Sequence, residues 1–221
     1  MAAIALWIAG GSLEAGSPRV EPATARRPSE VAQPQSPTAP DTSRLIRAFE
    51  GTETPTLLSY SDFRNYALRY GKYVVAVTEV REAVGETIRV YPRIKVGPGR
   101  RSPIVTVTED EGWLFGVAGD YLFVDVGCCP HPRGLVIYNL ARRKRWFEGS
   151  YDTDSLTLRQ GRWLRYAEPV DDVASKPECP EDARLDWKAA DLDVGYDEEV
   201  TLDLLTRTVK RSGRVWCAPR Q

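Results

Sequence analysis

The chain has 221 residues, with 30 Lys and Arg against 31 Asp and Glu, so its formal net charge is −1. This balance argues against a dedicated nucleic-acid-binding protein, which usually carries a clear basic surplus. A hydrophobic content of 42% is sufficient for a packed core, and the length accommodates one ordinary domain with extensions. The single histidine, His131, excludes metal sites that are built from several histidines.

Residues 1–15 have the character of an export signal. The run Ala2 to Gly10 is apolar but too short to span a bilayer, which requires about 20 residues. It matches the hydrophobic part of a signal peptide, and Leu13-Glu14-Ala15 provides a cleavage site with small residues. No Lys or Arg precedes the run, so a disordered apolar tail is the alternative interpretation. We expect an exported protein, periplasmic or secreted, with no integral membrane span in the mature chain.

Residues 16–42 are predicted to be a disordered linker. Six prolines are spaced through this stretch, with Ser, Thr, Ala and Gln between them. Such a composition buries too little apolar surface to offset the loss of chain entropy on folding. The remaining residues, 43–221, are predicted to form a single β-rich domain.

Three short helices are predicted in this domain. The first covers Arg44–Glu50 and is followed by a glycine. The second covers Asp62–Tyr70, where apolar and aromatic residues recur at helical spacing. The third covers Pro180–Ala190, because proline suits the first helical position and the two acidic residues that follow suit the positive end of the helix dipole.

Most of the domain has the alternating or β-branched pattern of strands. Both arms of the hairpin around Gly119-Asp120 are apolar on nearly every residue, which indicates a central position in the fold. Successive hairpins with short turns predict an antiparallel meander, forming a sandwich or a partly open barrel with two or three short helices. Partial propeller-like blades are the alternative. The predicted strands are 73–80, 87–96, 103–108, 113–118, 121–126, 135–140, 145–151, 156–159, 162–166, 200–204 and 209–217.

A weak internal repeat supports the regular hairpins. The segment VIYNLARRKRWFEG (136–149) aligns without gaps to VTLDLLTRTVKRSG (200–213). In this alignment Asn139 matches Asp203 and Arg143 matches Arg207. Asn and Asp at the end of a strand can hydrogen-bond to the backbone of the turn that follows. The repeat therefore predicts two turns of similar construction.

The four cysteines are Cys128, Cys129, Cys179 and Cys217. An even number in an exported chain favours disulfides, and three complete pairings are possible. A bond between the adjacent residues Cys128 and Cys129 would strain the peptide that joins them. We favour a Cys179–Cys217 disulfide, which would tie an acidic loop to the last strand. The state of Cys128 and Cys129 stays open.

The most compact group of charges is the basic cluster Arg142, Arg143, Lys144 and Arg145. Four cations in one turn can bind acidic headgroups, a phosphorylated polymer or an acidic protein. The alternative is a hairpin tip that is simply solvated. We predict a non-catalytic domain that binds a protein or an anionic envelope polymer, with this cluster as the binding site. No nucleic acid is expected as a partner.

The enzyme alternative is a hydrolase that uses Cys128 or Cys129 with His131. A Cys–His pair needs a lowered thiol pKa and a third group that orients the imidazole. Asp125 is close in sequence, but its position on a strand allows either orientation. Adjacent cysteines rarely converge on one tetrahedral metal centre, and serine-hydrolase, zinc-protease and phosphate-loop patterns do not occur. We therefore expect no metal, no cofactor and no catalytic residue.

The segments Lys176 to Glu181 (KPECPE) and Trp216 to Gln221 (WCAPRQ) resemble a group of uncharacterised secreted bacterial proteins. Those proteins also carry a segment like Arg133 to Tyr151. The resemblance covers the carboxy-terminal half of the chain. It implies export and a Cys179–Cys217 bond, but no known activity.

Overall fold

The computed structural model describes residues 48–62, 65–80, 84–93, 102–127, 132–171, 173 and 175–220. The export-like segment 1–15, the predicted linker 16–42 and the loop 128–131 lie outside the described residues. All described residues fall within one compact unit, Ala39–Gln221. None of the helices in this part of the chain has the length and apolarity needed to cross a membrane.

Within the described residues, thirteen strands form three antiparallel sheets, in agreement with the predicted mainly β fold, and none of these sheets closes into a barrel. In each sheet the strands are neighbours in the order of the chain, so each sheet is a simple meander. The first sheet contains β1 (Thr56–Asp62), β2 (Asn65–Tyr70), β3 (Tyr73–Glu79), β4 (Glu86–Pro92) and β5 (Val105–Val107). The middle sheet contains β6 (Gly112–Ala118), β7 (Tyr121–Val126), β8 (Arg133–Asn139) and β9 (Lys144–Tyr151). The third sheet contains β10 (Thr157–Arg159), β11 (Trp163–Pro169), β12 (Asp193–Asp203) and β13 (Thr208–Arg220).

The middle sheet is buried on both faces, as the predicted central hairpin requires. Because side chains alternate along a strand, Leu122 and Val124 point into a core shared with the first sheet. Tyr121 and Phe123 point into a second core, shared with the third sheet. The three sheets are therefore stacked layers, and strand β7 contributes to both cores.

Helix α1 (Glu181–Ala189) confirms the helix predicted over Pro180–Ala190. The helix predicted over Asp62–Tyr70 is wrong, since Asn65–Tyr70 is strand β2. Tyr66, Leu68 and Tyr70 all point into the core, which is a period of two, and pairing with β3 fixes it. Tyr66 and Tyr70 are four residues apart, and this spacing fits both a helix and the alternation of a strand. The sequence pattern therefore does not distinguish the two structures.

The first predicted helix, Arg44–Glu50, lies mostly outside the described residues. Its last three residues are not helical, and Glu50 forms a parallel bridge with Thr157 at the edge of the third sheet. The backbone amide of Leu158 donates to the Glu50 carbonyl at 2.8 Å. Pairing with another strand thus competes successfully with helix formation here.

Glu86 joins the first sheet to the middle sheet. Its carboxylate accepts hydrogen bonds from the Leu114 amide at 2.7 Å and from the Tyr66 hydroxyl at 3.1 Å. Burial raises the pKa of Glu86 to about 7, with a further contribution from the charge of Glu79, and the two hydrogen bonds oppose the shift. The folded state therefore binds the Glu86 proton more tightly than the unfolded chain does.

This raised pKa predicts a pH-dependent effect of Glu86→Gln. The stability that Glu86 contributes is fully present below its ordinary pKa of 4.5 and is lost as the pH rises through about 7. Because glutamine cannot ionise, the variant is expected to be more stable than the wild type at pH 8 by about 1–2 kcal/mol. The gain should vanish at pH 4, below the ordinary pKa of 4.5. Thermal unfolding of both proteins at the two pH values measures it, with Glu181→Gln on α1 as an exposed control. An equal difference at both pH values contradicts the assignment.

Candidate functional site

The two turns predicted by the internal repeat have the same length, but the capping side chain binds the third residue on in one turn and the second residue on in the other. After β8, the Asn139 side chain accepts a hydrogen bond from the Arg142 amide at 2.9 Å. After β12, the Asp203 side chain accepts one from the Leu205 amide at 3.0 Å. The matched arginines close both turns with left-handed backbone, at φ 55° for Arg143 and 64° for Arg207. Glycine adopts this conformation most readily, and Glu111, Gln160 and Asp191 adopt it elsewhere in the described chain.

The two turns lie beside each other. The carbonyl of Leu204 in the third sheet accepts hydrogen bonds from the Trp146 indole at 2.7 Å and the Tyr121 hydroxyl at 2.8 Å. Both donors belong to the middle sheet. The turn after β12 is therefore held against the middle sheet, next to the turn after β8.

Three cations surround the buried ring of Trp146. The guanidinium carbons of Arg142 and Arg207 lie 4.7 and 5.2 Å from the ring centroid, and the ammonium of Lys144 lies 5.6 Å from it. Cation–π contacts of this kind contribute about 0.5–1 kcal/mol each at exposed sites. The ring thus holds positive charge from two sheets together, within about one Debye length at 0.1 M salt (~10 Å).

We define the basic turn surface as Arg142, Arg143, Lys144 and Arg207. Among the residues that the structure describes, no carboxylate forms an ion pair with any of these four. Most other arginines of the middle and third sheets do have carboxylate partners. Those paired arginines are Arg133, Arg145, Arg162, Arg165, Arg211, Arg214 and Arg220.

The structure places Arg145 apart from the other members of the predicted cluster. Successive side chains of a strand point to opposite faces, so Arg145 points away from the face of Trp146. Its guanidinium pairs with Glu148 at 2.7 Å and with Glu109. Glu109 also accepts from the Tyr138 hydroxyl, and burial raises the pKa of Tyr138 to about 12. Arg145 is therefore a neutralised cation on the side of the first sheet.

Arg207 is the site residue that the predicted cluster lacked. Its alignment with Arg143 in the internal repeat is the sequence signal for it, but the repeat does not show that the two turns lie beside each other. The neighbouring Arg162 belongs to the same end of the third sheet. It binds Asp203 through two hydrogen bonds, of 2.9 and 2.6 Å, and holds the pKa of that carboxyl well below its usual range.

A second polar group lies buried at the opposite end of the middle sheet. Asp125, which is 1% exposed, accepts two hydrogen bonds from Arg133, at 2.7 and 2.6 Å, and one from the Tyr151 hydroxyl at 2.7 Å. Phe49 and Phe115 line a cavity of about 350 Å³ next to it. Arg133 and Tyr151 engage both oxygens of Asp125, so the group is a closed ion pair that braces the ends of β7 and β8.

Cys128, Cys129 and His131 connect these two strands and lie outside the described residues. Cys179 and Cys217 form a disulfide with an S–S distance of 2.00 Å, which confirms the favoured pairing. The described residues contain no group of three or more His, Cys, Asp or Glu side chains that could hold a metal ion.

Comparison with known proteins gives no relative: no family model, no curated protein and no solved structure matches the chain.

Proposed function

We propose that the protein is an exported, non-catalytic domain that binds an anionic partner through the basic turn surface. The observation that carries this proposal is the group of four cations without described carboxylate partners, three of them gathered on the ring of Trp146. Unpaired cations held together on a fixed support attract anions over about a Debye length.

Export is supported by the Cys179–Cys217 disulfide and by the predicted signal segment, residues 1–15. Structural disulfides form and persist in oxidising compartments and are rare in the cytosol. The resemblance to uncharacterised secreted bacterial proteins favours the same location.

The hydrolase alternative uses Cys128 or Cys129 with His131. It needs a third group to orient the imidazole, and the nearest carboxylate in sequence is Asp125. Arg133 and Tyr151 already engage both oxygens of Asp125. The structure of this end of the middle sheet therefore favours a bracing role over a catalytic one.

Charge reversal tests the proposed site. The double variant Arg142→Glu/Arg143→Glu is expected to weaken binding to polyanions at least about tenfold at low salt, which corresponds to about 1.4 kcal/mol or more. The difference should shrink at 1 M salt, where the Debye length falls to about 3 Å. Titration with inorganic polyphosphate and with polyglutamate, followed by tryptophan fluorescence, provides the measurement.

The matched control is Arg184→Glu/Lys188→Glu on α1, which changes the net charge by the same amount on an exposed helix. Circular dichroism checks that both variants fold. Equal weakening by the two double variants would show attraction to net charge and not to a site. Unchanged binding of both anions by the Arg142/Arg143 variant would refute the proposed function.

A further inference from the structure

We infer that the anionic partner is a linear polymer of linked phosphate groups without bases, such as inorganic polyphosphate, which lies across both turns and contacts Arg143 and Arg207 together. This inference rests on the proposed function and names the class of its ligand.

Each sheet carries a tight turn that contains glycine, with two residues between the paired strand ends in the first two sheets and three in the third. In each of these turns glycine and a polar residue precede an aromatic residue: Gly71-Lys72-Tyr73, Gly119-Asp120-Tyr121 and Gly161-Arg162-Trp163. In the first two sheets this aromatic residue reaches the neighbouring layer. The Tyr73 hydroxyl donates to the Asp120 carboxylate, and the Tyr121 hydroxyl donates to the Leu204 carbonyl. The layers are therefore stacked with their turns at the same end.

The spacing of the cations in the two turns favours a long ligand. Arg143 and Arg207 occupy equivalent positions on adjacent layers, and stacked sheets pack about 10 Å apart. A charged hydrogen bond between a guanidinium and an oxyanion is about 2.7–2.9 Å long. One orthophosphate can bridge neighbouring guanidinium groups, such as those of Arg142 and Arg207 on the Trp146 ring, whereas a chain of linked phosphates can contact Arg143 in the same molecule.

The kind of cation in the basic turn surface favours phosphate as the ligand. Three of the four cations of the basic turn surface are arginines, whose planar forks match the oxygens of phosphate in pairs. The Trp146 ring holds Arg142 and Arg207 in place, which reduces the side-chain entropy lost on binding. Among the described residues of the two turns, Leu205 is the one exposed large apolar side chain. A folded protein partner would require a larger apolar centre in its interface, which a polymer does not need.

Glycine substitutions provide the sharpest test. Arg143→Gly and Arg207→Gly remove the side chains, while glycine readily adopts the left-handed backbone that both turns require. The probes are orthophosphate, long inorganic polyphosphate, single-stranded DNA and polyglutamate of matched length, each titrated by calorimetry. Per phosphate, long polyphosphate is expected to bind at least about 100-fold more tightly than orthophosphate, because the second turn is engaged within one molecule, and more tightly than single-stranded DNA. Arg143→Gly and Arg207→Gly should each lower the affinity for long polyphosphate, and by about the same factor as each other. Arg184→Gly on α1 should leave this affinity unchanged.

The outcomes separate this inference from the proposed function. If Arg207→Gly is silent while Arg142→Glu/Arg143→Glu weakens binding, a single-turn site remains and the bridging polymer is overturned. The same conclusion follows if long polyphosphate binds no more tightly per phosphate than orthophosphate. If polyglutamate binds as tightly as polyphosphate, the assignment to phosphate is overturned. If neither polymer binds at low salt, the proposed function fails as well.

Discussion

Replacing Arg133 by alanine is expected to lower the free energy of unfolding by about 3–5 kcal/mol, the cost of leaving a buried charge without its partner. Asp125 is 1% exposed and would keep one described donor, the Tyr151 hydroxyl. The side chain of Arg133 is also buried, at 5% exposure. Urea denaturation of the variant and the wild type measures the loss.

Two comparisons make this prediction specific. The triple variant Asp125→Leu/Arg133→Met/Tyr151→Phe removes all three polar groups together and is expected to lie within about 1–2 kcal/mol of the wild type. Arg214→Ala removes an arginine that is exposed and 4.0 Å from Glu199, and should cost at most about 1 kcal/mol. A loss for Arg133→Ala as small as that for Arg214→Ala would contradict a closed, buried ion pair.

The layered arrangement was predictable where the sequence pattern reports burial directly. Strand β7 (Tyr121–Val126) has the predicted bounds, and its continuous apolar sequence reflects two cores, one on each face. Strand β1 (Thr56–Asp62) was missed because nearly all of its residues are exposed. It carries no apolar alternation, and its pairing with β2 holds it in place. Edge strands of this kind form through a partner that sequence patterns do not show.

The basic turn surface was predictable only in part. Three of its four members were in the predicted cluster, because they are consecutive in one turn. The separation of Arg145 follows from strand alternation, which starts at β9 (Lys144–Tyr151) and places Arg145 opposite Trp146. The addition of Arg207 depends on the packing of the third sheet against the middle one, through the bonds to the Leu204 carbonyl. Contacts between layers are long-range in sequence, so a local pattern could not reveal them.

Loss of the disulfide, in the variant Cys179→Ser/Cys217→Ser, is expected to lower the free energy of unfolding by about 2–4 kcal/mol. The two cysteines are 38 residues apart, for which the chain-entropy model gives about 3–4 kcal/mol as the upper part of this range. That model assumes that the native state does not change. Here we expect a change, because α1 buries none of its residues and a groove of about 770 Å³ lies between it and the start of β12.

Without the bond, α1 therefore gains freedom in the native state as well, which offsets part of the entropy gained by the unfolded chain. Amide exchange should quicken across α1 in the variant, while strands β7 and β8 keep their protection, since the two cores do not include the helix. Chemical denaturation gives the global loss, and hydrogen exchange gives the local one. Exchange that quickens equally in α1 and β7 would mean that the disulfide supports the sheets. A full loss of 4 kcal/mol or more with α1 still protected would mean that the helix is held by contacts other than the Cys179–Cys217 bond.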